Sequence, residues 1–318
     1  MRLSFKVIGW LSLLVLILIS IGGAIHAQES VPEPADISDQ ATWSFCQGES
    51  STIKIIRAQL EQSYITFGGG WGMNDALLFE SKIAPNLIID CSRRHAALII
   101  TPKVVLRMFS EFSAPVKTPS YMPRSTLYLW RGEIPDEGPY SFGFLSVTLS
   151  HHSNGQSGEF FTEEGENNHE DGSFSTNYID LAYHRARSKG NGLLFIRGSV
   201  EYHPRSWGDK ELEGTYGQLR FNLSLKGLNP LGKSKRKTTI EGGYLIELTY
   251  LADDLMDRSS ALEKAIVSIT YTWAFEALRD IGFFINYYYG QDYYNIRFDD
   301  TLKVLKVGAI VNFSAKAQ

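Results

Sequence analysis

The chain has 318 residues, a formal net charge of −4, and 16 Tyr, 18 Phe and 6 Trp. So small a charge excess, and a negative one, argues against a nucleic-acid partner, which would require clustered Lys and Arg. Charged residues make up an ordinary 21%, whereas the aromatic load favours strands.

Met1-Arg2-Leu3-Ser4-Phe5-Lys6 carries two positive charges ahead of an uncharged, mostly apolar run from Val7 to about Ile25. That pattern predicts a secretory signal peptide over residues 1–27, cut after Ile25-His26-Ala27. The competing reading is an uncleaved anchor, because the run is long for a signal core. Beyond it no stretch approaches the roughly 20 apolar residues of a spanning helix, so a helical membrane protein is excluded.

Residues 28–62 are polar and broken by Pro32 and Pro34, which predicts an extended periplasmic N-terminal segment. Within it, Ile53 to Leu60 admits a short amphipathic helix. Cys46 and Cys91 would meet an oxidising compartment after secretion, where a disulfide and two separate thiols are both open readings.

From residue 63 to residue 318 the hydropathy period is two. Leu219, Phe221, Leu223 and Leu225 alternate with Gln218, Arg220, Asn222, Ser224 and Lys226. Val267, Ile269, Tyr271, Trp273 and Phe275 alternate in the same way with Ser268, Thr270, Thr272 and Ala274. The apolar face would be the core of a soluble sandwich or the lipid face of an outer-membrane barrel. The leader, the strand lengths and the aromatic residues toward strand ends favour the barrel.

Strands are expected at 63–71, 75–82, 96–108, 124–132, 141–153, 176–187, 191–203, 215–226, 237–251, 264–275, 280–290 and 302–314. The even number, twelve, suits an all-β, antiparallel transmembrane β-barrel. Alternation of long and short connections makes the 154–175 loop extracellular and the C-terminus periplasmic. The basic run Lys233-Ser234-Lys235-Arg236-Lys237 reads as a solvated turn.

A serine nucleophile needs a base beside it and a third group to orient that base. In the fifth strand, Leu145, Val147 and Leu149 share a face with His151 and Ser153, while Ser146, Thr148, Ser150 and His152 take the other. Parity therefore selects His151 over His152 as the partner of Ser153 and puts the pair on the lipid side. Asn177 in the next strand falls on the same face and could hold His151 through its amide oxygen. Gly155 lets the backbone approach a reacting carbonyl and offers its N–H as an oxyanion donor.

His151-His152-Ser153-Asn154-Gly155, followed by Ser173-Phe174-Ser175-Thr176-Asn177, resembles the outer-membrane phospholipase A family. Ser113-Ala114-Pro115-Val116-Lys117 with Tyr121-Met122-Pro123, and Tyr289-Gly290-Gln291-Asp292 with Tyr294-Asn295 and Phe298, extend the resemblance over much of the mature chain. It implies a twelve-stranded barrel that hydrolyses acyl esters of membrane phospholipids, dimerises to become active and uses calcium (Ca2+) in its oxyanion hole. His151 matches the base, Ser153 the nucleophile, Asn177 the orienting amide and Gly155 the oxyanion glycine. For calcium, Ser173 matches a side-chain ligand, Gln156 a carbonyl donor, and Ser113 the residue supplied by the partner of a homodimer.

The 155–173 loop departs from the family by its length and by six acidic residues, Glu159, Glu163, Glu164, Glu166, Glu170 and Asp171, without Lys or Arg. An acidic position of the family is occupied here by Gly158, with Glu159 adjacent. Two rival readings are a non-catalytic channel or structural barrel, and a lipid A deacylase.

Overall fold

The computed structural model describes residues 50–73, 76–135, 139–189, 192–228, 240–253, 258, 260–275, 278 and 281–311. All belong to one structural unit, Thr42–Gln318. The expected leader, Cys46 and the Lys233–Lys237 turn lie outside the described residues.

A short helix, α1 (Ser51–Gln59), precedes the strands β1 (Ser63–Thr66), β2 (Leu77–Ile83), β3 (Leu87–Cys91), β4 (Ala96–Phe109), β5 (Ser120–Trp130) and β6 (Ser141–Ser153). There follow β7 (Ser175–Lys189), β8 (Gly192–Tyr202), β9 (Leu219–Leu228), β10 (Ile240–Leu251), β11 (Ala265–Phe275), β12 (Ile281–Gln291) and β13 (Thr301–Val311). Each strand from β4 onward pairs antiparallel with the next, and β1 pairs with both β13 and β2.

The ring closes at β4. One half of it, Val104–Phe109, pairs with β2, and the other, Ala96–Ile100, with β3. β2 and β3 are thus one strand interrupted at Ala84-Pro85-Asn86, where proline has no N–H for the ladder. Asn86 takes up the break: its Nδ2 donates to the Glu61 and Ala84 carbonyls, and its Oδ1 accepts from Thr101. Counted this way the closed antiparallel barrel has twelve strands, the number the sequence predicts.

Strand parity separates two environments. On β6, Phe142, Phe144, Ser146, Thr148, Ser150 and His152 are buried, whereas Leu145 is 53% exposed. On β7, Asp180, Ala182, His184 and Ala186 point inward, while Leu181 and Tyr183 point out. The exposed apolar set continues through Phe221, Leu223, Ile269 and Tyr271. A closed ring with polar residues inside and an apolar exterior is a membrane-spanning barrel. No helix among the described residues is long and apolar enough to cross a membrane.

Around Ser50 the N-terminal segment is more ordered than its composition suggests. The Ser50 side chain caps α1 by accepting from the Ile53 N–H. Ile53 and Ile56 then pack inside the barrel against Ile99, Tyr128, Trp130, Phe142, Phe144 and Phe195. Glu61, just beyond the helix, is held by Lys82, Lys103 and Arg124 at 2.7, 3.0 and 2.8 Å. The polar lead-in therefore ends as a helix seated in the mouth of the barrel opposite Ser153.

Between this helix and the loops at the other mouth lies a cavity of about 880 Å³, with Asp180, Glu201, Lys226 and Glu247 among its lining residues. The loops pack over that second mouth through Phe160, Phe174, Leu212, Tyr216, Ile296 and Phe298. Among the described residues, protein thus stands at both ends of the cavity.

Candidate active site

β6 and β7 run side by side in a register that sets His151 opposite Asn177 and Ser153 opposite Ser175. Because residues two apart share a face, His151, Ser153 and Asn177 all meet on the outer surface, just past the apolar stripe of Leu145, Val147 and Leu149. His151 Nε2 lies 2.9 Å from Ser153 Oγ, and His151 Nδ1 lies 2.9 Å from Asn177 Oδ1. His152 faces inward, 5% exposed, with its ring edge-on to Phe174.

The proton arrangement follows from the donors. An amide oxygen only accepts, so Nδ1 carries the hydrogen and donates to Asn177; Nε2 then presents a lone pair to the Ser153 hydroxyl. Asn177 Nδ2 in turn donates to the Trp207 carbonyl. The result is a continuous chain from a backbone carbonyl through amide and imidazole to a serine hydroxyl.

Immediately after Ser153 the chain turns sharply. Asn154, 1% exposed, anchors the turn: its Nδ2 donates to the Gly172 carbonyl, and its Oδ1 accepts from the N–H groups of Gln156 and Phe174. Its own N–H donates to the Phe174 carbonyl. Gly155 follows in the left-handed region, φ +70°, which a side chain would strain. The N–H groups of residues 154 and 156 are both committed, leaving that of Gly155 without a partner among the described residues. Tyr121, paired with Ser153 from β5, flanks Gly155 with its ring.

Asn154→Ala is expected to destabilise this turn by about 2–3 kcal/mol, since buried N–H and C=O groups lose their partner. Limited proteolysis should then cut the 155–173 segment much faster than in the wild type, while the barrel stays resistant.

The sequence-expected calcium positions fall on two loops. Gln156 and Ser173 lie on the two segments that Asn154 clamps together, and Ser173 N–H donates to the Gly158 carbonyl at 3.0 Å. Hydroxyl and carbonyl oxygens are the donors that a hard cation takes, so this pair fits calcium in kind. Ser113 sits apart, with φ +69°, on the loop joining β4 to β5. No hydrogen bond among the described residues ties it to the His151–Ser153–Asn177 group.

Gly158 is closely covered by Asp171: a Cβ there would come within 2.6 Å of the Asp171 carbonyl and 2.7 Å of its Oδ1. The Asp171 carboxylate, whose Oδ1 accepts from Asn168 Nδ2 at 2.8 Å, thus stands beside Gly158. The acidic loop is folded, with Phe161 bridging Asn167, Thr162 N–H donating to the Glu166 carbonyl, and Asn167 Nδ2 donating to the Ile296 carbonyl. All six of its acidic residues are exposed. Separately, His169, Asp299 and Asp300 bring three ligand-type atoms within 4.8 Å of one another.

Sequence reading places Asn154 in the motif without giving it a role, and misses Trp207 and Asp209. Asn154 is legible as an Asx-type turn former before glycine. The other two arrive from a loop about thirty residues downstream of Asn177, for which no local pattern exists.

Two of the solved structures to which the chain is similar are outer-membrane phospholipases. One is an active-site mutant of outer membrane phospholipase A from Escherichia coli at pH 6.1, with TM-score 0.52 and 14% identity over 80% of this chain and 90% of that one. The other is the Salmonella typhi outer membrane phospholipase dimer with bound calcium, with TM-score 0.53 and 14% identity over 79% of this chain and 90% of that one. At this identity the likeness is one of fold. Neither a family model nor a curated protein matches the chain.

Proposed function

We propose that the chain is a calcium-dependent phospholipase A of the outer membrane of a Gram-negative bacterium, secreted by cleavage of residues 1–27. The observation that carries this reading is the unbroken Asn177–His151–Ser153 chain on the lipid-facing side of a barrel. Three polar groups aligned for acyl transfer at the border of an apolar surface suit an ester whose chains lie in the bilayer.

In the mechanism, Ser153 Oγ attacks the ester carbonyl as His151 Nε2 takes its proton. Asn177 Oδ1 stabilises the imidazolium through Nδ1–H. The Gly155 N–H donates to the developing oxyanion. His151 then returns the proton to the leaving lysophospholipid, and a water activated by the same nitrogen releases the fatty acid. Calcium would be held by Ser173 Oγ and the Gln156 carbonyl, with Asp171 as the nearby carboxylate, and would supply polarisation of the oxyanion site. A homodimer would bring the partner copy's loop, with the residue equivalent to Ser113, to complete that shell.

The test is fatty-acid release by purified protein in detergent micelles containing phospholipid or, in a parallel arm, lipopolysaccharide. Release from phospholipid is expected with calcium and should fall at least about tenfold with chelator, the loss of roughly 1.4 kcal/mol or more of transition-state stabilisation. Release from lipopolysaccharide alone would assign a lipid A deacylase instead. Conductance without release from either substrate would favour the channel reading.

A further inference from the structure

β7 is longer than its neighbour at the end that carries the site. Pairing with β8 begins only at Ile179 opposite Tyr202, so Ser175 to Tyr178 have no β8 partner. The loop leaving β8 folds back along this free edge. Asp209 N–H donates to the Ser175 carbonyl at 2.9 Å, and Ser175 N–H donates to Asp209 Oδ2 at 2.6 Å. Between these contacts and the β8 end, the Trp207 carbonyl accepts from Asn177 Nδ2.

The loop is anchored on both sides of this contact. At its start, His203 N–H donates to the Gln218 carbonyl, and the buried His203 ring bonds to Thr176 Oγ1 and Glu201 Oε1 at 3.0 and 2.8 Å. Beyond Asp209, Leu212 is 2% exposed in the aromatic cluster with Phe174 and Tyr216. Gly208 lies directly on the strand: a Cβ there would stand 2.8 Å from the Ser175 carbonyl oxygen and 3.1 Å from Thr176 Cα.

Such an anchor decides a chemical ambiguity. The two ends of a carboxamide are nearly the same size, so packing alone hardly distinguishes them. If Asn177 were turned over, its NH2 would confront the His151 Nδ1–H, donor against donor, and relieving that clash by moving the hydrogen to Nε2 would remove the lone pair facing Ser153. A fixed acceptor at Trp207 removes this alternative, because only the NH2 end can bond to it.

We propose that the Trp207-Gly208-Asp209 strap is a positioning element that sets the Asn177 amide and, through it, the His151 tautomer, with Asp209 as its latch. The inference rests on the proposed function for its catalytic consequence, but the amide orientation itself is independent of it. Asp209 acts through the Ser175 backbone and touches no reacting atom.

Three variants test the proposal: Gly208→Ala, which pushes the strap off β7; Asp209→Ala, which removes the latch; and Asp209→Asn, whose amide oxygen can still accept from Ser175 N–H. Two readouts are taken on refolded barrel in micelles, kinetics of fatty-acid release and the downfield NMR signal of the His151 Nδ1 proton, assigned by its absence in His151→Gln. Gly208→Ala and Asp209→Ala are expected to lower kcat about 10- to 100-fold, the effect of a displacement near 1 Å, with KM changed less than about twofold. The proton signal should broaden or vanish in both, and Asp209→Asn should restore signal and kcat.

A normal signal and wild-type kcat in Gly208→Ala and Asp209→Ala overturn the inference, as does absence of the signal from the wild type. If the signal follows the strap as described but wild-type protein hydrolyses no ester, the proposed function fails and the positioning role stands. Should Gly208→Ala not fold, the Asp209→Ala and Asp209→Asn pair decides alone.

Discussion

Ser153→Ala protein is expected to release fatty acid from phospholipid at least about 10⁴-fold more slowly than the wild type, with calcium saturating and the barrel folded. The size of the effect follows from the path of the reaction. Without the hydroxyl no acyl-enzyme forms, and His151 can only assist direct attack by water. Binding and the Gly155 N–H still operate, so the residual rate exceeds the uncatalysed one. His151→Ala should cost nearly as much, and the double variant little more, because the two groups work as a unit. A fluorophosphonate probe should label the wild type at Ser153 and leave Ser153→Ala unmodified. Hydrolysis at the wild-type rate by Ser153→Ala would end the acyl-transfer reading.

Arg107→Leu is expected to destabilise the barrel by about 3–5 kcal/mol, the cost of breaking a buried ion pair on one side. Arg107 is 1% exposed on β4. Its Nε bonds Glu80 at 2.9 Å, and its Nη1 and Nη2 grip both oxygens of Asp292 at 2.6 and 2.8 Å. Its guanidinium also stacks over Tyr294, 4.4 Å from the ring centre. Glu80 is completely buried and shared with Lys306, Tyr64 and Tyr293. Leucine would leave Asp292 without its cation and Glu80 with Lys306 as its remaining cation. Urea unfolding in detergent, followed by the shift of heat-modifiable gel mobility, measures the loss. A double change that also neutralises Asp292 should recover part of it, as expected when the penalty lies in an uncompensated charge. An unchanged midpoint for Arg107→Leu would refute this account of the network.

Ser153 and Arg107 stand for two kinds of residue in the barrel. The outer face follows a simple alternation, which is why Leu145, Val147, Leu149, His151 and Ser153 can be placed on one side from the sequence, and why Asn177 can be matched to them. A period of two is dictated by the pleat, and a half-buried strand writes it directly into the chain. Strand number is legible for the same reason. Its one complication, the break between β2 and β3 at Pro85, changes the labels and not the closure.

The inner face and the loops are different. Arg107 meets Asp292 across 185 positions of sequence, and α1 meets Phe195 inside the barrel, contacts that exist only once the ring has closed. A polar lead-in gives little sign that Ile53 and Ile56 will be buried, because its amphipathic stretch is short and a nine-residue helix is marginal alone. Nor does any local pattern announce that Trp207 will orient Asn177 or that Asp171 will cover Gly158.

The segment from His151 to Gly155 shows where the two sources of information divide. Side-chain periodicity along one strand is enough to choose His151 over His152 and to assign Ser153 to the lipid side, because the backbone alone determines which way alternate side chains point. Tertiary structure decides the rest: which end of the Asn177 amide faces the imidazole, which carboxylate covers Gly158, and what fills the barrel. Those depend on hydrogen-bond partners from distant loops, whose approach is set by closure of the sheet and not by any neighbour in sequence.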